Sequence, residues 1–273
     1  MKPEREYQYN FSESSPGMHD VEVRKRKAAT MVAVLRDHFD VPLRTLRVLD
    51  VGGSTGIIDD YLANYFGSVT GIDIDEKAVD FAIQNFGKKN LYFHLGDAMQ
   101  LEVPDETFDV VICSQIYEHV PDSRRMVEEI FRVLRPGGIC YFAASSRLRW
   151  NEPHYGLPLL SVVPRPIAHR YIRMAGKADY YHELHFSYWG LRNLVKGFRI
   201  IDYTRELIAK PDRYGTDYMV APGTLKARLA LWIADYLYWV MPGYLWLLKK
   251  PGEFAARESA AGDVWPAAQT GLD

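Results

Sequence analysis

The segment Val48-Leu49-Asp50-Val51-Gly52-Gly53-Ser54-Thr55-Gly56 constrains this 273-residue chain more than any other. An apolar run ends in an acid, then passes into a glycine-rich turn that opens a helix. Glycines at such a turn take backbone angles closed to other residues and let a ligand come close to the main chain. Two cofactor classes use this geometry. A dinucleotide loop wants G-x-G-x-x-G, because its pyrophosphate sits on the helix N-terminus. Gly52, Gly53 and Gly56 lack the first G-x-G spacing, and Asp50 at the strand end is a poor neighbour for a pyrophosphate but suits a cofactor amine.

Strand-like and helix-like stretches alternate from residue 47 to residue 146. Arg47–Val51, 68–74, Leu91–Leu95, Phe108–Ser114 and 139–144 read as strands, and 57–66, 76–86 and 124–134 as helices. Asp75 offers an N-cap to the second of these helices, and the run FDVVICS suits a strand buried on both faces. Pro136-Gly137-Gly138 makes a sharp turn into the last strand. Repeated strand–helix units imply a parallel sheet with right-handed crossovers. The expected fold class is therefore α/β, a doubly wound, mostly parallel sheet, with an inserted cap and a helical C-terminal extension.

The domain boundaries follow from changes in texture. Residues 1–46 form an N-terminal arm and helix, in which 1–20 have little structure of their own. From Val21 a helical period places Ala28, Met31, Val32 and Leu35 on one face and Arg24, Lys25 and Arg26 on another, until Pro42 breaks it. Residues 47–210 form the main domain, with 147–197 inserted as a cap and 198–207 rejoining the sheet, and 211–273 form an aromatic helical extension and tail. With 33 Lys+Arg against 35 Asp+Glu, no cationic surplus points to nucleic acid. Cys113 and Cys140 lie in strand-like runs, read as buried packing, and are too few for a disulfide framework or a thiolate zinc site. The first six residues lack the apolar core of a signal peptide, so a cytoplasmic protein is expected.

Together with the turn, four further segments carry a resemblance. Asp73 ends the second strand in Gly71-Ile72-Asp73-Ile74, and Gly96-Asp97-Ala98 follows the third. Pro104-Asp105-Glu106-Thr107-Phe108-Asp109-Val110-Val111 leads into the fourth, before Glu118-His119-Val120 and Leu134-Arg135-Pro136-Gly137-Gly138. In this order they resemble the class I S-adenosylmethionine-dependent methyltransferases, in particular the ubiquinone- and menaquinone-type subgroup, whose sheet is Rossmann-like. The resemblance covers about residues 45–146. It implies S-adenosyl-L-methionine as cofactor, with the turn around its methionine part, Asp73 on the ribose hydroxyls and Asp97 against the adenine amino group. The contact set so implied is Asp50, Gly52, Gly53, Ser54, Gly56, Asp73, Ile74, Asp97, Ala98 and Ser114. An ionised carboxylate accepts two hydrogen bonds from a diol well, although an acid at this distance from the loop also suits a nicotinamide cofactor. Asp109 reads as structural, tying down nearby backbone amides.

Methyl transfer from a sulfonium is an in-line displacement, so a base is needed only where the acceptor must lose a proton. His119, in the loop after the fourth strand, is the expected catalytic residue, an imidazole able to deprotonate a hydroxyl near neutral pH. Gln115-Ile116-Tyr117-Glu118-His119 partly resembles an E-x-x-E-H metal motif, but Gln115 replaces its first acid, and no metal is expected. The cap holds His154, Tyr155, His169, Tyr180, Tyr181, His182, Glu183 and His185, with Arg147, Arg149, Arg165, Arg170 and Arg173, a set that suits a polar or anionic acceptor.

Residues 229–248 are about as long as a bilayer span, but Asp235 and Pro242-Gly243 interrupt them. Leu225, Leu229, Trp232, Tyr236 and Trp239 form a stripe at helical spacing, flanked by Lys226, Arg228, Lys249 and Lys250. Three readings compete: a helix pair on the inner membrane surface, packing onto the domain or across a homodimer, and a true span. The function expected is methyl transfer to an oxygen or carbon of a small or lipid-linked acceptor. A catalytically silent scaffold for a membrane or partner, and a nicotinamide-dependent oxidoreductase, are the alternatives.

Overall fold

The structure is a computed structural model and describes residues 9–252. The expectations for the first six residues, and for the Ala- and Gly-rich tail after residue 252, lie outside the described residues. A short helix, α1 (Phe11–Ser14), and a 3-10 turn over Pro16–His19 lead into α2 (Val21–His38). Asp20 caps α2 by accepting the Val23 N–H at 3.0 Å. The domain then runs through β1 (Arg47–Val51), α3 (Ile57–Leu62), β2 (Ser68–Asp73), α4 (Glu76–Asn85), β3 (Leu91–Leu95), β4 (Phe108–Ser114), α5 (Ser123–Val133) and β5 (Leu134–Ser145). Asp75 caps α4 through the Ala78 N–H, as its side-chain chemistry predicts.

The cap follows, with the small hairpin β6 (Asn151–Glu152) and β7 (Leu157–Pro158) and helix α6 (Arg165–Met174). Leu160, Ala168, Ile172 and Tyr181 give it a small core of its own. Next come α7 (Tyr188–Leu194), β8 (Arg199–Asp202), α8 (Thr204–Ala209), α9 (Pro211–Tyr214), α10 (Leu225–Tyr236) and β9 (Gly243–Lys249). The sheet order is β3-β2-β1-β4-β5-β9-β8, with β1 to β5 parallel and β9 antiparallel to both its neighbours. Helices cover both faces, so the doubly wound α/β class holds.

Period-two alternation splits the strands between two cores. Leu49, Val51, Val111 and Cys113 face α5 and α7 in one, while Val48, Val110 and Ile112 face α2 and α3 in the other. Asp50 shares the parity of Val48 and so points toward α2. Cys113 and Cys140 are buried and unpaired, as expected. Asp109 accepts the Arg47 N–H at 2.6 Å and pairs with Arg135, which bears out its structural reading.

Three expectations are corrected. The C-terminal extension is α-helical only through Tyr236, with a 3-10 turn over Tyr238–Val240; 243–249 is a strand inserted between β5 and β8, so the domain closes at Lys249 rather than near 210. Pro242-Gly243 stops the helical run. Trp246, Leu247 and Leu248, each at most 1% exposed, then gain burial on both sheet faces, about 1.5–3 kcal/mol per side chain. The insertion also ends earlier, because Leu191 and Val195 belong to the main core. Finally, residues 9–20 are not a loose arm. Ser12 donates its N–H and hydroxyl to Asp75 at 2.8 and 2.7 Å, and Thr55 donates to the Met18 carbonyl at 2.7 Å.

Among the described residues, no helix is long and apolar enough to cross a membrane. The spanning reading of 229–248 therefore has no helix to carry it, and its last six residues, 243–248, lie in the sheet.

Candidate functional site

A cavity of about 1030 Å³ lies at the carboxyl ends of the parallel strands, enough for a cofactor and an acceptor together. Its floor is the turn after β1. The Gly52 and Gly53 N–H groups donate to the Ile72 carbonyl at 2.8 and 3.2 Å, which pins the turn to β2. Gly52 takes φ +79, and a side chain there would strike Ile116, with Cγ1 at 2.8 Å. Gly52 and Ile116 both line the cavity, so the glycine lets the turn take its left-handed angle and Ile116 close against it. Gly53 and Gly56 do not line the cavity, and each is also closely packed. A Cβ at Gly53 would meet the Asp59 carboxylate, and one at Gly56 would meet Ala82 and Phe93.

Asp50, Gly52, Ser54, Asp73, Ile74, Ala98, Ser114 and His119 all line the cavity. Asp73 Oδ2 accepts the Ser54 N–H at 2.7 Å and Oδ1 accepts the Asp75 N–H at 2.9 Å. Burial raises its pKa, and these N–H bonds partly offset the rise. Asp97 does not reach the lining; its Oδ1 takes the Met99 N–H at 2.6 Å and closes its own turn, while Gly96 and Ala98 face the cavity.

Sequence reasoning missed three members of the site. Arg24, expected with Lys25 and Arg26 on a face away from the packing stripe, is 7% exposed and lines the cavity. Its guanidinium lies in the field of Asp50, Asp59 and Asp73, though burial still lowers its pKa. Asp59, in the first turn of α3, is fully buried beside Asp50. Burial first, and then the Asp50 charge, hold Asp59 well above the usual carboxylate range. Asp50 itself is pushed up to about 6, mainly by burial, with the Asp59 hydrogen bond and then Arg24 pulling the other way. Gly53 and Gly71 leave room for the Asp59 carboxyl, which is the one trace of it in the sequence. One helical turn after Arg24, Lys27 also lines the cavity; burial and the neighbouring Arg24 and Arg149 lower its pKa.

The far wall joins the β4–α5 loop to the cap. His119 Nδ1 lies 4.0 Å from Glu183 Oε1, and its ring packs against Phe11 and His154 with centroids 4.9 Å apart in each case. Glu152 orients His154, taking its backbone N–H at 2.9 Å and meeting Nδ1 at 2.6 Å. His185 is buried 3.6 Å from the same carboxylate, whereas His182 is exposed, so the His182-x-x-His185 spacing makes no joint site. His119, His154 and Glu183 each bring one ligand atom within 4.8 Å of the others, the one place among the described residues where three such groups could hold a metal. Of the five cap arginines only Arg149 lines the cavity. Arg147 and Arg165 donate to cap carbonyls, and Arg170 and Arg173 are exposed.

Comparison with known proteins gives the same frame. Residues 49–142 match the family described as a methyltransferase domain. A ubiquinone biosynthesis O-methyltransferase of Coxiella burnetii is 31% identical over 109 residues, covering 39% of this chain and 47% of the relative. One of the same description from Thiobacillus denitrificans is 35% identical over 125 residues, covering 45% and 51%. The chain thus spans about half the length of the curated relatives it matches. Among solved structures, a SAM-dependent methyltransferase from Methanosarcina mazei superposes with a TM-score of 0.52 at 20% identity, over 81% of this chain and 98% of that one. At that identity the likeness is one of fold.

Proposed function

We propose that this chain, whose residues 49–142 form a class I methyltransferase domain, transfers a methyl group from S-adenosylmethionine to an oxygen or carbon of a small or lipid-linked acceptor. The observation that carries the reading is the Asp73 carboxyl, held by two backbone N–H groups on the cavity wall that the Gly52 turn also lines. A diol is the ligand that such a paired acceptor suits. The residues fit the cofactor: Asp73 would take the ribose hydroxyls, Gly52 and Ser54 would border the methionine part, and Arg24, on the cavity lining, would meet its carboxylate.

The bound cofactor supplies a methyl group on a sulfonium, so the transfer is a displacement that alignment accelerates. The chain's task is to align and to exclude water. Residues 9–20 roof the turn through the Ser12–Asp75 and Met18–Thr55 hydrogen bonds, and Phe11 packs against the imidazole of His119. His119 takes the proton of a hydroxyl acceptor at Nε2, with Glu183 near Nδ1 to stabilise the imidazolium. Lys27 and Arg149 give the acceptor end of the cavity its positive charge.

Calorimetric titration with S-adenosylmethionine and S-adenosylhomocysteine, with NADH as control, tests the reading. Binding of the two sulfur ligands, silence toward NADH and loss of binding in Asp73→Ala are expected. NADH binding, or unchanged affinity in the variant, would overturn it.

A further inference from the structure

Helix α10 is inside out. The residues it fully buries are Ala227 and Ala234, Leu231 and Ile233 are half-buried, and four large apolar side chains face solvent: Leu225 is 80% exposed, Leu229 55%, Trp232 50% and Tyr236 72%. They recur at intervals of four, three and four residues, which places them on one side of the helix. Trp239 and Trp189, both exposed, extend the aromatic surface beyond its end, with ring centroids 5.5 Å apart. Single exposed apolar residues are common, but a stripe of this kind marks an interaction surface.

We propose that this face seats the protein on an anionic lipid surface and that the cavity receives the hydrocarbon part of its acceptor there. Three observations favour lipid over a protein partner. The large exposed side chains are Leu, Trp and Tyr, the residues that settle at the boundary between headgroups and acyl chains. The charge is complementary: Lys226 and Arg228 are exposed on α10, while its acid, Asp235, is held by Arg205 at 2.5 Å. Most tellingly, the cavity reaches this helix. Lys226, Leu229, Ala230 and Ile233 line it together with Ile208, Val240 and Met241, so the cavity meets the exposed stripe at Leu229. An acyl or polyprenyl chain could then enter from the bilayer without crossing water, a passage that a docked protein would not need.

The choice of a lipid acceptor rests on the methyl transfer proposed above, but the seating does not, and the two fail separately. The test is co-sedimentation of the full chain with vesicles of phosphatidylcholine alone, or with about one third phosphatidylglycerol, at low and high salt. Binding to the anionic vesicles, weakened by salt, is expected. Trp232→Ser/Tyr236→Ser, at two exposed positions outside the cavity lining, should weaken it roughly ten-fold or more. Arg228→Glu should do so at low salt and much less at high salt. Titration with S-adenosylmethionine should be unchanged in both variants, which reports that the domain is folded and keeps the cofactor reading apart.

Failure to bind either vesicle overturns the proposal, as does equal binding by the double variant. A dimer in light scattering that the double variant disperses would give the face to a second copy of this chain, and would overturn it too.

Discussion

Arg24→Met is the perturbation from which the buried charge group can be worked through. At pH 7 wild-type Asp50, with a pKa about 6 against an ordinary 3.8, costs about 3 kcal/mol of folding free energy. After the Asp59 hydrogen bond, Arg24 is the strongest influence lowering this pKa, so removing it raises the folded value; the upper limit of the effect is an Asp50 that folds protonated at every pH tested. The cost of that is about 1.4 kcal/mol for each pH unit above 3.8, or about 4 kcal/mol at pH 7. The difference between variant and wild type is therefore at most about 1.4 kcal/mol at pH 7, well under the 3–5 kcal/mol of a stranded buried charge.

Its pH dependence is the signature. A raised carboxyl pKa stabilises fully below the unfolded value, and that stability is lost as pH climbs through the folded value. In wild type the loss falls between about pH 4 and 6 and then levels off; in Arg24→Met it continues upward through pH 8. At that limit the gap should nearly vanish at pH 5 and reach about 2.7 kcal/mol at pH 8. Relief of the buried guanidinium moves all these values by a constant and leaves the slope alone. Urea unfolding at four pH values between 5 and 8 measures it. A gap that is flat with pH, or largest at pH 5, would refute the assignment of Arg24 to Asp50.

Two other substitutions separate chemistry from architecture. His119→Ala should lower turnover by about 10²–10⁴-fold for an acceptor that loses a proton, with little change in S-adenosylmethionine affinity by calorimetry. Full activity in that variant would remove the imidazole from the proton transfer. Leu247→Ala, at a position with no exposed surface in β9, should cost about 2–5 kcal/mol in chemical denaturation. A loss under about 0.5 kcal/mol would mean that the strand is not part of the core.

What could be read in the sequence was local. The turn from Val48 to Gly56 and the acid at Asp73 each lie within a few residues of the strand end that positions them, so spacing alone located them. The same holds for the Asp75 cap. Arg24 could not be placed this way, because its neighbours Lys25 and Arg26 share its composition but not its direction. What decides between them is the acidic pair Asp50 and Asp59 on a strand and a helix far along the chain. The His119, His154 and Glu183 cluster needs the cap folded back over the β4–α5 loop, and no periodicity encodes that. The run Tyr244-Leu245-Trp246-Leu247-Leu248 failed for another reason. Leucine and tryptophan serve a helix or a strand, and only the open side of β5 chooses between them.

That open side has a consequence for how the chain is made. β5 finds a neighbour on its far flank only when 243–249 arrives, after the cap and α10 have been synthesised. Until then a nascent chain on the ribosome presents an apolar, unpaired strand edge, the feature most prone to templating aggregation. The antiparallel pairing of β9 with both β5 and β8 acts as a latch set late in synthesis, and chains released before it are candidates for chaperone capture rather than for a smaller working domain.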